Sequence, residues 1–176
     1  HYLNLCQNMY WSIILRNDLS FINQKFHELE QESRFALMPF LIAGDPSLEI
    51  TSNILLTLQE NGADLIELGI PFTDPIADGP IIQKAVERSL KNRTSLEDVF
   101  KTVKLFKKSF PDVPVVLMGY LNPIENMTYR RFAKLSKAND VDGVLVVDAP
   151  LEESKSLNNN LKNYKITQIY LASPTT

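Results

Sequence analysis

Residues 62–80 read GADLIELGIPFTDPIADGP, and the first half of that stretch sets the class of fold. From Leu65 to Ile70 every residue is apolar or glycine except Glu67. Strand alternation puts Leu65, Glu67 and Gly69 on one face and Ile66, Leu68 and Ile70 on the other. A strand that is apolar on both faces belongs to a sheet covered on both sides, the usual setting of parallel strands. Pro71 ends the run. The loop that follows carries two turn signals, Asp74-Pro75 and Asp78-Gly79-Pro80, the second leading into a helix with Pro80 at its first position.

Outward from this strand the same grammar repeats. Apolar runs rich in β-branched or aromatic residues occupy 36–43 (ALMPFLIA), 64–70, 114–119 (PVVLMG), 143–147 (GVLVV) and 166–171 (ITQIYL). The spacing predicts an opening helix over 20–31, capped by Ser20, with Ile22, Phe26 and Leu29 as its apolar stripe and His27 off it in solvent. Asp45-Pro46 is expected to open the next helix with proline at its first position, and Asn61-Gly62 to close it. Leu48, Asn53, Leu55, Leu56 and Leu58 are its expected buried face. Further helices are expected over 81–90, over 129–138 and over 152–163. Another follows Thr94-Ser95-Leu96-Glu97, read as a capping box ahead of Val99, Phe100, Val103 and Phe106. Alternating strand and helix describe right-handed βα units of an α/β fold. Strand starts lie about 23 to 50 residues apart, against about 31 per unit in a closed (β/α)8 barrel of ~250 residues. Five strands make about five-eighths of that barrel. They also fit an open doubly wound sheet, and pattern alone leaves both.

Composition bounds the function. The chain has 176 residues, 44% of them hydrophobic, and a net charge of −3. That is one domain with a sizeable core, and no basic face broad enough to hold nucleic acid by counterion release. A lone Cys6 leaves no disulfide framework or cysteine zinc site, and His1 and His27 make no histidine metal centre, so no metal is expected. The apolar stretch from Trp11 to Leu15 is far too short for a membrane span, and no basic cluster precedes it as in a secretory leader. Residues 1–18 show no clear period and are taken as an extension, with residues 19–176 forming part of a single domain. Frequent Asn, Lys and Ile suggest an AT-rich coding sequence, so a plastid (chloroplast) stroma or a bacterial cytoplasm is the expected location.

In both architectures function gathers at the C-terminal ends of strands. Glu67 stands there inside an apolar run, two residues before the turn. Apolar walls favour the protonated carboxyl, which suits a group that must both give and take a proton; the plain structural reading is a Glu paired with a Lys or Arg. Asp78 lies on the loop directly above, so the two acids can face one cavity, one desolvated and one wet. Tyr120 can offer a flat wall and a hydroxyl, or simply pack under a loop. Asp45 and Asp148 read as loop-fixing residues. No glycine-rich phosphate loop occurs.

These blocks resemble one family. Residues 39–46 (PFLIAGDP), 62–80, 114–123 (PVVLMGYLNP), 142–153 (DGVLVVDAPLEE) and 171–176 (LASPTT) look like the tryptophan synthase alpha chain, from about residue 20 onward. The resemblance implies a TIM barrel, a (β/α)8 fold of which this chain covers about the first five strands, preceded by a short N-terminal helix. It implies retro-aldol cleavage of indole-3-glycerol phosphate to indole and glyceraldehyde 3-phosphate, with Glu67 and Asp78 as the catalytic carboxylates. It places Phe40, Met118, Tyr120 and Leu145 around the indole. Pro71, Asp74 and Asn122 would meet a beta chain in a tetramer of two alpha and two beta chains. No cofactor is implied in this chain, and PLP in the beta partner.

The family's last three strands, with the phosphate-binding glycines and serine, fall beyond residue 176. A barrel without them has two open edges and an unfilled interior, so the 176-residue chain alone is expected neither to fold stably nor to catalyse. Two other readings are a free-standing indole-glycerol-phosphate lyase and a non-catalytic subunit that only activates its partner. Retained Pro71, Asp74 and Asn122 speak against the first, and retained Glu67 and Asp78 against the second. A phosphate-sugar epimerase would need histidine and metal ligands that the sequence lacks.

Overall fold

A computed structural model describes residues 20–150 and 154–171. Its five strands are β1 (Phe40–Ile42), β2 (Ile66–Gly69), β3 (Val115–Gly119), β4 (Gly143–Val146) and β5 (Thr167–Ile169). They form one sheet in the order β1-β2-β3-β4-β5, every pair parallel. That order settles which architecture the pattern encodes. A doubly wound sheet reverses its strand order and carries helices on both faces. Here each strand lies beside its predecessor, and the sheet-covering helices share one face.

On that face Leu55 of α2 (Leu48–Glu60), Val99 and Val103 of α4 (Leu96–Ser109), Phe132 of α6 (Tyr129–Ala138) and Leu161 of α7 (Lys155–Lys162) join Ile66, Leu68, Leu117 and Val144 in one buried cluster. The other face holds Leu65, Val116, Leu145 and Ile169, met by Ile22 and Phe26 of α1 (Phe21–Gln31). Helices outside and the strands' own side chains inside make the wall of a β/α barrel. Helix α1 plugs its N-terminal mouth. It can do so because Gly143 opens β4: a Cβ there would stand 2.6 Å from Ile22 Cδ1. Gly143→Ala is therefore expected to cost about 1–3 kcal/mol by overpacking, part of it regained when Ile22→Val removes that methyl. Urea titration checks this; full stability in Gly143→Ala, or no recovery in the double variant, contradicts it.

Several boundaries differ from expectation. The first strand covers 40–42 rather than 36–43, because Pro39 has no amide to give to a ladder at this edge. Its register extends backward through single bonds, Asp64 N–H to Leu37 O at 2.9 Å and Glu67 N–H to Pro39 O at 3.0 Å. Helix α2 begins at Leu48, not at Pro46: Ser47 is its cap and accepts from Ile50 N at 3.2 Å, and the Asp45–Pro46 bond is cis. Its buried face is Thr51 and Leu55 with Leu58 packed alongside, whereas Asn53 and Leu56 face solvent.

The capping box of α4 is Ser95 with Asp98, one residue later than Thr94 with Glu97, since Thr94 is buried against Gly44 instead. Gly44 has φ +80° and no room for a Cβ there. A short helix absent from the sequence reading, α5 (Leu121–Met127), follows β3 and takes Pro123 in its first turn, where no amide is needed. Helix α7 lies inside the expected 152–163, while residues 1–19, 151–153 and 172–176 are outside the described residues, and with them the proposed extension and parts of two family blocks. His27 is solvent-exposed, as expected.

Candidate active site

Glu67 sits in the middle of β2, on the rung Phe40–Glu67–Val116–Gly143–Thr167 that crosses all five strands. Alternation turns it to the inner face with Leu65 and Gly69. It is 6% exposed, and its Oε1 has no hydrogen-bond partner. No lysine or arginine pairs with it among the described residues. Burial alone pushes its carboxyl up to about 7, where protonated and ionised forms coexist near neutrality.

Gly69, two residues nearer the strand end on the same face, clears the space beside it. A Cβ at Gly69 would stand 2.5 Å from Ile42 Cδ1 and 3.0 Å from the Phe40 ring. Phe40 and Ile42 lean into that gap and are covered by Ile82, Ala85, Val86 and Leu90 of α3 (Pro80–Lys91). The apolar wall from α3 was missed in the sequence. Its signal was available, since 82, 86 and 90 recur at helical spacing.

The loop 71–79 descends from β2 into α3 and carries Asp78, half-buried where Glu67 is enclosed. Asp78 is not left to the loop alone. Tyr120, the residue after β3, donates its hydroxyl to Asp78 Oδ2 at 2.9 Å and accepts the Ala77 N–H at 3.0 Å. Its ring lies 5.3 Å from that of Phe72. Burial, with the Asp78 carboxylate adding to it, pushes the Tyr120 phenol up to about 12, so it remains a donor at any working pH. Of the wall and the hydroxyl that Tyr120 offers, it is the hydroxyl that grips two successive residues of the loop that carries an acid.

Met118 and Leu145 share the rung of Gly69, Met118 half-buried and Leu145 enclosed within the inner cluster. Glu67 and Phe40 on one rung, and Met118 and Leu145 two rungs on, thereby share the inner face, and Tyr120 and Asp78 come into direct contact. Asp74, on the loop after β2, and Asn122, in the first turn of α5, are exposed at the same end of the sheet, whereas Pro71 is buried. Asp148 accepts the Leu121 N–H at 2.8 Å and Asp45 binds Arg88, both fixing loops as expected.

Residues 26–176 match the family model described as tryptophan synthase alpha chain. The chain is 51% identical over 158 residues to the tryptophan synthase alpha chain of Nitrosospira multiformis, covering 90% of this chain and 57% of that one. It is similar to the crystal structure of tryptophan synthase subunit alpha from Legionella pneumophila, with a TM-score of 0.87 and 40% identity over 90% of this chain and 60% of that one. A structure of the tryptophan synthase α2β2 complex from Pyrococcus furiosus holds a chain matched at TM-score 0.76 and 45% identity, over 80% of this chain and 59% of that one. The chain spans a little under three-fifths of the length of the curated relatives it matches.

Proposed function

Because the chain belongs to the tryptophan synthase alpha chain family, we propose that the complete protein cleaves indole-3-glycerol phosphate to indole and glyceraldehyde 3-phosphate in the course of tryptophan biosynthesis. The observation that supports it is Glu67: an enclosed, unpaired carboxyl on the strand whose loop presents a second, wetter carboxylate. Two acids in unlike surroundings suit a reaction that moves protons in opposite directions.

In the step envisaged, Glu67 in its acid form protonates the indole ring carbon that bears the glycerol chain, while Asp78 takes the indole N–H proton and leaves a C=N bond. Glu67, now ionised, removes the proton of the hydroxyl on the adjoining carbon. The O–H electrons become the aldehyde C=O, and the C–C pair passes into the ring and restores the aromatic indole. Protons balance: one delivered to carbon, one taken from oxygen, and the nitrogen's proton returned. A carboxyl near pH 7 changes state at little cost in either direction, and Tyr120 holds Asp78 in place for the nitrogen. Phe40 and Met118 are apolar surfaces for the indole ring.

Exposed Asp74 and Asn122 offer polar groups to a beta chain that receives the indole on its own PLP, in a tetramer of two alpha and two beta chains. The relatives from Nitrosospira multiformis and Legionella pneumophila are bacterial, which favours a bacterial cytoplasm over a plastid.

The complete protein should release indole when given indole-3-glycerol phosphate, and Asp78→Asn should lower that rate by roughly a hundredfold or more. No indole from the wild type would overturn the proposal. An Asp78→Asn protein as fast as wild type would remove Asp78 from the mechanism.

A further inference from the structure

We propose that Arg88 is a positioning residue for the Asp78 loop, acting through its pair with Asp45 to bolt the far end of α3 to the turn after β1. The inference rests on the role given to Asp78 above.

Helix α3 stands outside the repeating units. The helix that covers the sheet after β2 is α4, whose Val99, Phe100, Val103 and Phe106 enter the main core, while α3 contributes no residue to it. Its apolar side makes only a small separate cluster with Phe40 and Ile42. A helix so lightly packed is seated by what holds its ends.

At the C-terminal end three side chains reach the 43–46 turn. Arg88 spans both oxygens of Asp45, Nε to Oδ1 at 2.6 Å and the terminal nitrogen to Oδ2 at 2.8 Å. Ser89 donates to Ala43 O at 2.6 Å, and Asn92 donates to Pro46 O. At the other end Gln83 donates to the carbonyl of Asp78 itself at 2.8 Å. One end of the rod is fixed to the sheet, and the other holds the peptide of the loop acid.

The pair is too exposed to add much stability, yet a planar fork on two oxygens fixes an angle as well as a distance. From Arg88 to Pro80 is about 12 Å of helix, so a tilt of about five degrees moves the loop end by about 1 Å. A misplacement of that size can cost up to about a hundredfold in rate.

The test compares the complete protein with Arg88→Ala, Arg88→Lys and the surface control Lys84→Ala. Amide exchange of residues 73–79 should quicken about tenfold in Arg88→Ala, less in Arg88→Lys and not in Lys84→Ala, with β3 and β4 unchanged. Indole release should lose about tenfold in kcat with KM within about twofold. Unchanged exchange at 73–79 overturns the inference, and so does quickening shared by β3 and β4, which is general loosening. A fall in KM-dependent terms alone also overturns it. The exchange measurement uses no substrate, so it judges Arg88 even if the wild type releases no indole and the proposed reaction falls.

Discussion

Glu67→Gln in the complete protein is expected to slow indole release roughly a thousandfold while making the protein more stable above pH 7. The two effects have one cause, a carboxyl enclosed without a partner. Its ordinary value is 4.5 and its folded value about 7. Between the two, the folded chain keeps a proton that the unfolded chain has lost. Stability therefore falls as pH rises through that window and stays low above it; below pH 4.5 both states are protonated and the difference vanishes. At about 1.4 kcal/mol per unit the full loss is about 3 kcal/mol.

Glutamine is neutral throughout and escapes that loss. Its amide must still find partners where Oε1 already has none, which leaves a net gain of about 1–3 kcal/mol. Urea titrations at pH 5 and pH 8 read the slope directly. Equal slopes for wild type and variant, or a variant weaker at pH 8, would contradict the account of Glu67. The pH profile of kcat/KM should also bend near pH 7 in the wild type.

Glu67 was legible because a single residue carried the information: one acid in an apolar strand needs no partner to be noticed. Its face followed from alternation, and the enclosure of Leu65 beside it and Ile66 behind it agrees. Asp78 was legible as a position, above Glu67 on the next loop. What holds it was not. The Tyr120 hydroxyl reaches Asp78 across 42 residues of chain, and nothing in either local stretch announces the meeting. The same holds for Arg88 and Asp45, separated by 43 residues.

Strand order was likewise beyond local pattern, because both faces of every strand are apolar in a barrel wall and in a doubly wound sheet alike. It took the pairing of each strand with its predecessor to decide. The one-residue slip of the α4 capping box has a tertiary cause too. Thr94 is as good a cap as Ser95 by chemistry, but its side chain is engaged against Gly44.

Lys107→Met is expected to cost about 3–5 kcal/mol and to leave the chemistry untouched. Lys107, near the end of α4, is a cation with 6% of its side chain exposed. Its ammonium donates to Pro111 O at 2.9 Å, Val113 O at 3.1 Å and Asp142 Oδ2 at 3.0 Å, and lies 4.9 Å from the centre of the Phe21 ring. Asp142 also accepts the Val115 N–H at 2.8 Å, so the pair ties α4 to the starts of β3 and β4 and to α1. Removing the lysine strands a carboxylate whose pKa burial already raises, together with two carbonyls. At about 2–4 °C per kcal/mol the midpoint should drop by roughly 10 °C. The double variant Lys107→Met, Asp142→Asn should recover part of the loss, because the amide oxygen can still take the Val115 N–H and no charge is left behind. A double variant no better than the single one would show that the lost carbonyl bonds, not the stranded charge, carry the penalty. The pair lies at the N-terminal ends of the strands and the site proposed around Glu67 and Asp78 lies towards the other, so kcat below the melting range should stay within about twofold. A protein that keeps its stability but loses its rate would mean that the two ends of the barrel are coupled through α4, against the division of labour argued here.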